Sequence, residues 1–265
     1  MSFITPPGRT FYQKVIRSIV PGICILILFF MPVTDATAQE KVVTAGIQFK
    51  PIFSSKYFSS GPENVINKGI DFTVTPGSGY CLGMVIRRGF TNTISLEGGI
   101  NFVKRNYSID VIDPDSSVNS NSTFSTVGYE VPIQGLVFIQ LSDKIFMDVA
   151  LGFSFDFYPS DVQSSDDYVV HYSARHSWFS PAMLANLGWE YRTEKSGYFY
   201  LGASYHRPFS TTYTSYVQYQ NRDLPYPEAK MDLLGNYLTL DIRYFFHSDP
   251  EKRKKKTRKP DPRTK

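Results

Sequence analysis

Ser204 and His206 stand two residues apart in an alternating run and carry the side chains of a nucleophile and its base. Two residues along a strand is one face, the arrangement a hydrolytic Ser–His pair requires. A lipid-acting site would need the outward face, whereas the alternation of 198–206 assigns both residues to the interior. A serine and a histidine so placed arise easily by chance, so the pattern alone assigns no catalysis. His171, His176, Asp166 and Asp167 could offer metal ligands. Their spacing matches no compact zinc motif, and acidic loops are commonly just solvated. No glycine-rich phosphate loop and no basic run interleaved with aromatics is found, so nucleic acid is not an expected partner. The expectation is no catalytic residue, no cofactor and no metal site.

A larger set is ionic. Lys50, Glu97, Arg105, Glu130, Asp148, Asp156, Glu190, His206, Asp241 and Arg243 all fall on the polar face of alternating runs. Lone buried charges are costly, so inside a narrow barrel the acids require Lys50, Arg105 or Arg243, or water, as partners. The expectation is a structural charge network of Lys50, Glu97, Arg105, Glu130, Asp148, Asp156, Glu190, Asp241 and Arg243 rather than an ion path.

The elements that must position these groups are strands. In 147–157, Met147, Val149, Leu151, Phe153, Phe155 and Phe157 share one face, with Asp148, Ala150, Gly152, Ser154 and Asp156 on the other. Residues 238–246 repeat this with Leu238, Leu240, Ile242, Tyr244 and Phe246 against Thr239, Asp241 and Arg243. Eight such runs, each about the 9 to 11 residues that cross a bilayer at a tilt, are read in all. Short polar turns near 88–93, 142–144 and 192–197 alternate with long connections at 55–77, 111–127, 159–177 and 213–236 that are rich in Ser, Asp, Asn, Tyr and Gly. The fold expected is an all-β, eight-stranded antiparallel transmembrane β-barrel with short periplasmic turns, long outer loops and both termini periplasmic. A soluble calyx also closes its sheet, but it turns its apolar face inward. Charged interior positions and aromatics near strand ends (Tyr80, Phe102, Phe157, Trp178, Trp189, Tyr191, Tyr244, Phe246) favour the membrane form.

Residues 1–39 read as a cleavable signal peptide, with basic Arg9, Lys14 and Arg17, an apolar core at 23–31 and Ala36-Thr37-Ala38 for the peptidase. The apolar stretch at 19–33 is too short and too interrupted by Pro21 and Pro32 for a spanning helix. Cleavage leaves Cys81 alone, so no internal disulfide can form. The barrel is placed at 40–247, with 16 bases against 20 acids over 40–248. The tail, 248–265, holds nine Lys or Arg against three acids. Lys252, Arg253, Lys254, Lys255, Lys256, Arg258 and Lys259 could attract anionic headgroups or acidic partners, or form only a solvated, disordered end.

Three segments carry a family resemblance: Gly46-Ile47-Gln48-Phe49-Lys50-Pro51, Tyr129-Glu130-Val131-Pro132-Ile133, and the aromatic-terminated run from Tyr237 to Phe246. The chain resembles the PorT-like outer-membrane β-barrel family of Bacteroidota over about residues 40–246, although this chain continues beyond the last aromatic. The resemblance implies export to the outer membrane, contact with outer-membrane lipid and passage through the barrel-insertion machinery. The resemblance transfers no catalytic residue; the role expected for the chain is non-enzymatic, by contact of its outer loops or tail with envelope components in protein secretion or surface organisation. A lipid-modifying or proteolytic barrel enzyme is the second reading.

Overall fold

The structure is a computed structural model that describes residues 43–193 and 196–247. The signal segment and the basic tail expected from the sequence lie outside the described residues. Among the described residues thirteen strands form, all paired antiparallel: β1 (Val43–Phe53), β2 (Glu63–Asn67), β3 (Ile70–Gly89), β4 (Ile94–Asp113), β5 (Val118–Gln140), β6 (Ile145–Phe157), β7 (Val162–Ser165), β8 (Val169–Arg175), β9 (Phe179–Arg192), β10 (Tyr198–Pro208), β11 (Tyr213–Tyr219), β12 (Glu228–Leu233) and β13 (Tyr237–Phe245). A single 3-10 turn at Lys56–Phe58 is the only helical element among the described residues. The count of thirteen, against the eight read from the sequence, comes from five extra strands, β2, β7, β8, β11 and β12; in addition β3, β4 and β5 run 20, 20 and 23 residues, longer than the spans expected.

Ladders join β1 to β3, β3 to β4, β4 to β5, β5 to β6, β6 to β9, β9 to β10, β10 to β13, and β13 back to β1. Closure is uneven. The β1–β13 ladder skips Lys50 and Pro51, and the β4–β5 ladder skips the stretch opposite Pro132, since proline brings no N–H. Paired residues trace the cycle as Val43, Arg88, Leu96, Gly135, Leu151, Ala185, Tyr205, Leu238 and then Phe53, a return to β1 ten residues from the start (53 − 43). A slip of ten residues over the eight strands of this cycle corresponds to a tilt of about 41° and a backbone radius of about 8 Å. A cylinder this narrow is filled by its own side chains.

Polarity inverts along the cylinder. In the half nearer the short turns, Ile47, Leu82, Met84, Ile86, Ile94, Leu96, Ile133, Leu151, Phe153, Leu187, Leu201 and Ile242 are exposed on the outside, while Glu97, Asn101, Asp148, Glu190, Asp241 and Arg243 are buried inside. Outward rings Phe49, Tyr80, Phe102 and Tyr129 follow one another with centroids 5.9–6.5 Å apart at the upper edge of this apolar band, and Phe199, Tyr244 and Phe246 cluster at its lower edge. Along β9, the twelve steps from Phe179 to Tyr191 give the band a height of about 30 Å. Such a surface is matched to hydrocarbon, not to water.

Beyond the upper ring the same strands turn their apolar side inward. Ile70, Phe72, Val74, Tyr107, Ile109, Val111 and Phe124 pack with Val169, Tyr213, Val217, Tyr219, Ala229, Met231 and Leu233 into one buried cluster. The second sheet, in the order β12-β11-β8-β7, closes over it, with β12 beside β2 and β7 beside β5. The segments expected as long loops are therefore largely a folded β extension. Asn119, Asn121, Asp166 and Asp167 on it face water, while the residues of the apolar cluster alternate inward. On β3 a bulge between Pro76 and Gly79 shifts the register by one, which flips the inward parity from Ile70, Phe72 and Val74 to Cys81, Val85 and Arg87.

Candidate functional site

The polar lumen is the site the fold builds, and its lower tier is an unbroken chain of ions. Arg192 Nε lies 2.5 Å from Glu190 Oε1; Glu190 also pairs with Arg87. Arg87 reaches Glu97 at 3.0 Å, Glu97 reaches Arg243 at 2.5 Å, Arg243 reaches Asp241 at 2.6 Å, and Lys50 closes on Asp241 at 3.3 Å. Signs alternate along the chain, so each buried charge has an opposite neighbour, as burial demands. Neutral donors complete it: Gln134 to Glu97 at 2.7 Å, Ser204 to Asp241 at 2.6 Å, and Asn186 to Asp241 at 3.1 Å. The Arg87 guanidinium also stacks 4.1 Å from the Phe245 ring centroid and 5.1 Å from Phe138. Tyr200 spans the floor and donates to Asn186 at 2.6 Å. It fits because Gly188 and Gly202 leave space where a Cβ would strike the phenol.

Of the residues expected in the network, Lys50, Glu97, Glu190, Asp241 and Arg243 join this chain. Asp148 is fully buried within Coulombic reach of Arg87 and Arg243, but neither of its oxygens has a hydrogen-bond partner. Arg105 departs from the expectation: it turns to the Gly235 and Asn236 carbonyls, 3.0 and 3.4 Å away, and packs over Tyr107 and Tyr237, so it neutralises no acid by contact. Two central members went unread. Arg87 continues the inward parity of Cys81, Gly83 and Val85 but stands next to the turn expected near 88–93; Arg192 falls at the start of the turn expected near 192–197.

Glu130 and Asp156 sit one tier higher with His206, above the chain of ions and below the apolar cluster. Tyr237 donates to Glu130, and the His206 ring stacks on Tyr237 with centroids 4.4 Å apart. Ser204 and His206 both point inward and are buried, at 7% and 2% exposure, away from the lipid-facing surface that a lipid-acting pair would need. The basic tail residues lie outside the described residues.

The histidines and acids of the third long connection do not converge. His171 is fully buried in the extension, 3.0 Å from Ser164 Oγ through Nδ1 and 2.7 Å from Ser173 Oγ through Nε2, with the Phe124 ring tilted against it at a centroid distance of 4.2 Å. Burial lowers its pKa to about 4, so the ring is neutral. Asp166 caps the turn to Val169, and the His176 amide donates to Thr212. At the tip of the extension, Arg222 grips Asp113, which holds that carboxyl well below its usual range.

The lumen has little open space. A cavity of about 20 Å³, room for one water, lies among Gln48, Glu97, Asn101, Glu130 and His206. The larger opening, about 450 Å³, is a vestibule at the turn end lined by Arg87, Phe90, Phe138, Phe146 and Arg192, and its floor is the chain of ions.

No family model and no curated protein matches the sequence. Among solved structures, the chain is similar to the outer membrane protein OprG from Pseudomonas aeruginosa, with a TM-score of 0.51 and 14% identity over 80% of this chain and 98% of that one. The COG4313 outer membrane channel from Pseudomonas putida F1 aligns with 82% of this chain and all of its own length, at 11% identity and a TM-score of 0.23, too low to bear on the fold. The likeness to OprG and the cycle of ladders together show the fold, an antiparallel β-barrel of the outer-membrane-protein type.

Proposed function

We propose that this chain is an integral outer-membrane barrel that works by contact, using its folded β extension to engage other envelope components rather than transporting or transforming a solute. The observation that carries the reading is the pairing of a filled lumen with a solid outer body. The alternating ions from Arg192 to Lys50 leave no through-path, and the apolar cluster closes the upper end. Exposed Tyr57, Ile66, Tyr168, Tyr172 and Leu224 on the extension supply contact area away from the apolar band. The exposed apolar band supports membrane insertion, and the extension, as the longer end, faces outward with the short turns in the periplasm. The resemblance to the PorT-like family supports the finer reading, an accessory in protein secretion or surface organisation. The basic tail is then a second contact element on the periplasmic side.

The test is purification from the native outer membrane in mild detergent, with a photo-crosslinking residue at Tyr168 or Leu224 and with residues 248–265 present or deleted. Crosslinks from the extension to defined envelope proteins support the reading. A barrel recovered alone in every case, or one that gives steady single-channel currents in planar bilayers, contradicts it.

A further inference from the structure

Glu130 on β5 and Asp156 on β6 are direct cross-strand partners, and so are His206 on β10 and Tyr237 on β13. All four point into the lumen, where the two pairs meet. One ligand atom from each of Glu130, Asp156 and His206 lies within 4.8 Å of the others. His206 Nε2 is 2.9 Å from Asp156 Oδ2 and 3.7 Å from Glu130 Oε1. Two ligands bound about 2.1 Å from one ion stand about 3.0 Å apart at a right angle and about 3.7 Å apart at 125°. The separations are close to those of one coordination shell.

The hydrogen bonding points the same way. Asp156 Oδ1 is taken by Ser154 and Asp156 Oδ2 meets only His206 Nε2, while His206 Nδ1 and the hydroxyl of Ser180 are buried with no hydrogen-bond partner. Ser180 is the cross-strand partner of Asp156 on the other side. Two orphaned polar atoms beside a single ion contact form a local deficit, because a buried polar group without a partner is costly. Charge is unbalanced there as well. Both carboxylates make their ion pairs with His206 alone, and Arg105 is committed to backbone carbonyls. A dication would bring two carboxylates and a neutral imidazole to zero net charge. Tyr237 and Asn101 already hold Glu130, and the stacked Tyr237 ring fixes the imidazole plane, the kind of outer support that orients metal ligands.

We propose that Glu130, Asp156 and His206 form a lumenal site for one divalent transition-metal ion of the kind bound by nitrogen and oxygen ligands, with Ser180 or a water in a remaining position. The apolar cluster above and the chain of ions below leave no wide approach, so the ion enters as the barrel closes. It then ties β5 and β6 to β10 across the lumen.

The probe is cobalt(II), which reports its own coordination in the visible spectrum, followed by zinc(II) to displace it. Protein without a histidine tag is refolded in detergent with Co²⁺, treated with chelator, desalted and analysed for metal. The expected result is about one equivalent retained, a visible ligand-field band, and loss of both in His206→Ala and Asp156→Asn. Tyr237→Phe should weaken binding about tenfold. Folding of each variant is read from its heat-dependent electrophoretic mobility. If a variant fails to fold, the wild-type protein decides alone: absence of a band and of metal after refolding overturns the site. Retention of metal by a folded His206→Ala, Asp156→Asn double variant at the wild-type level overturns it equally.

Discussion

Replacement of Arg87 by Met removes the central cation of the lumen and keeps most of the side chain's length. Arg87 contacts both Glu97 and Glu190, and all three are buried. Removing one partner of a buried ion pair costs about 3–5 kcal/mol, because the remaining charge is left without compensation. Glu97 keeps Arg243 and Gln134, and Glu190 keeps Arg192, so the lower end of that range applies. Loss of the stacking on Phe245 and Phe138 adds to it. The expected destabilisation is about 3 kcal/mol. Urea unfolding of the barrel in lipid vesicles measures it through Trp178 and Trp189, which are exposed on the outer face and report departure from lipid. Arg88→Met is the control, since Arg88 is exposed and its loss should cost less than about 0.5 kcal/mol. An Arg87→Met protein within 1 kcal/mol of wild type, or no less stable than the Arg88 variant, would refute the argument that alternating charge holds the lumen.

Three further outcomes are expected. His171 has a folded pKa of about 4 against about 6.5 unfolded. Its contribution is therefore complete above pH 6.5, falls as pH drops through that window and is gone near pH 4, an effect of up to about 3 kcal/mol. His171→Leu should flatten that part of the stability–pH curve relative to wild type. Gly202→Val places a branched side chain against the Tyr200 phenol and the Leu187 carbonyl, and overpacking of this kind costs about 1–3 kcal/mol or more. It should reduce the fraction of protein that shows the folded electrophoretic form, whereas Gly135→Val, where a Cβ meets open space, should not. Arg222→Ala releases Asp113 and Asp115 at the tip of the extension, so limited proteolysis should cut near residues 220–226 faster while the barrel stays intact.

The barrel strands were legible because each carries its period in full, as the oily face from Met147 to Phe157 shows. The extension was not, and the reason is specific. Ile109 and Val111 continue the inward face of Glu97 and Asn101, so the meaning of an apolar residue reverses above Phe102 without any break in the alternation. A reading tuned to oily-outside strands meets Ser120, Asn121 and Ser122 on the opposite strand and takes them for loop. The bulge at Pro76–Gly79 hides the change further by shifting parity on β3.

The interior acids were recognisable from their face alone, but their partners were not. Which cation meets which acid depends on the ten-residue slip around the cylinder, a quantity that exists only once every ladder is in register. Thus Arg105, read as a counter-ion, meets backbone carbonyls, while Arg87 bridges two acids. The meeting of Glu130, Asp156 and His206 has no trace in their spacing, because they come from three strands across the lumen.

The orientation of the barrel in the outer membrane is the claim on which the contact role rests, and cysteine labelling tests it most directly. Leu224→Cys lies exposed on the extension, Ser142→Cys on a short turn, and the native Cys81 is buried in the wall. On intact cells, a membrane-impermeant maleimide should label Leu224→Cys and leave Ser142→Cys untouched until the outer membrane is permeabilised. Labelling of Ser142→Cys on intact cells, or protection of Leu224→Cys until permeabilisation, would place the extension in the periplasm and contradict the account.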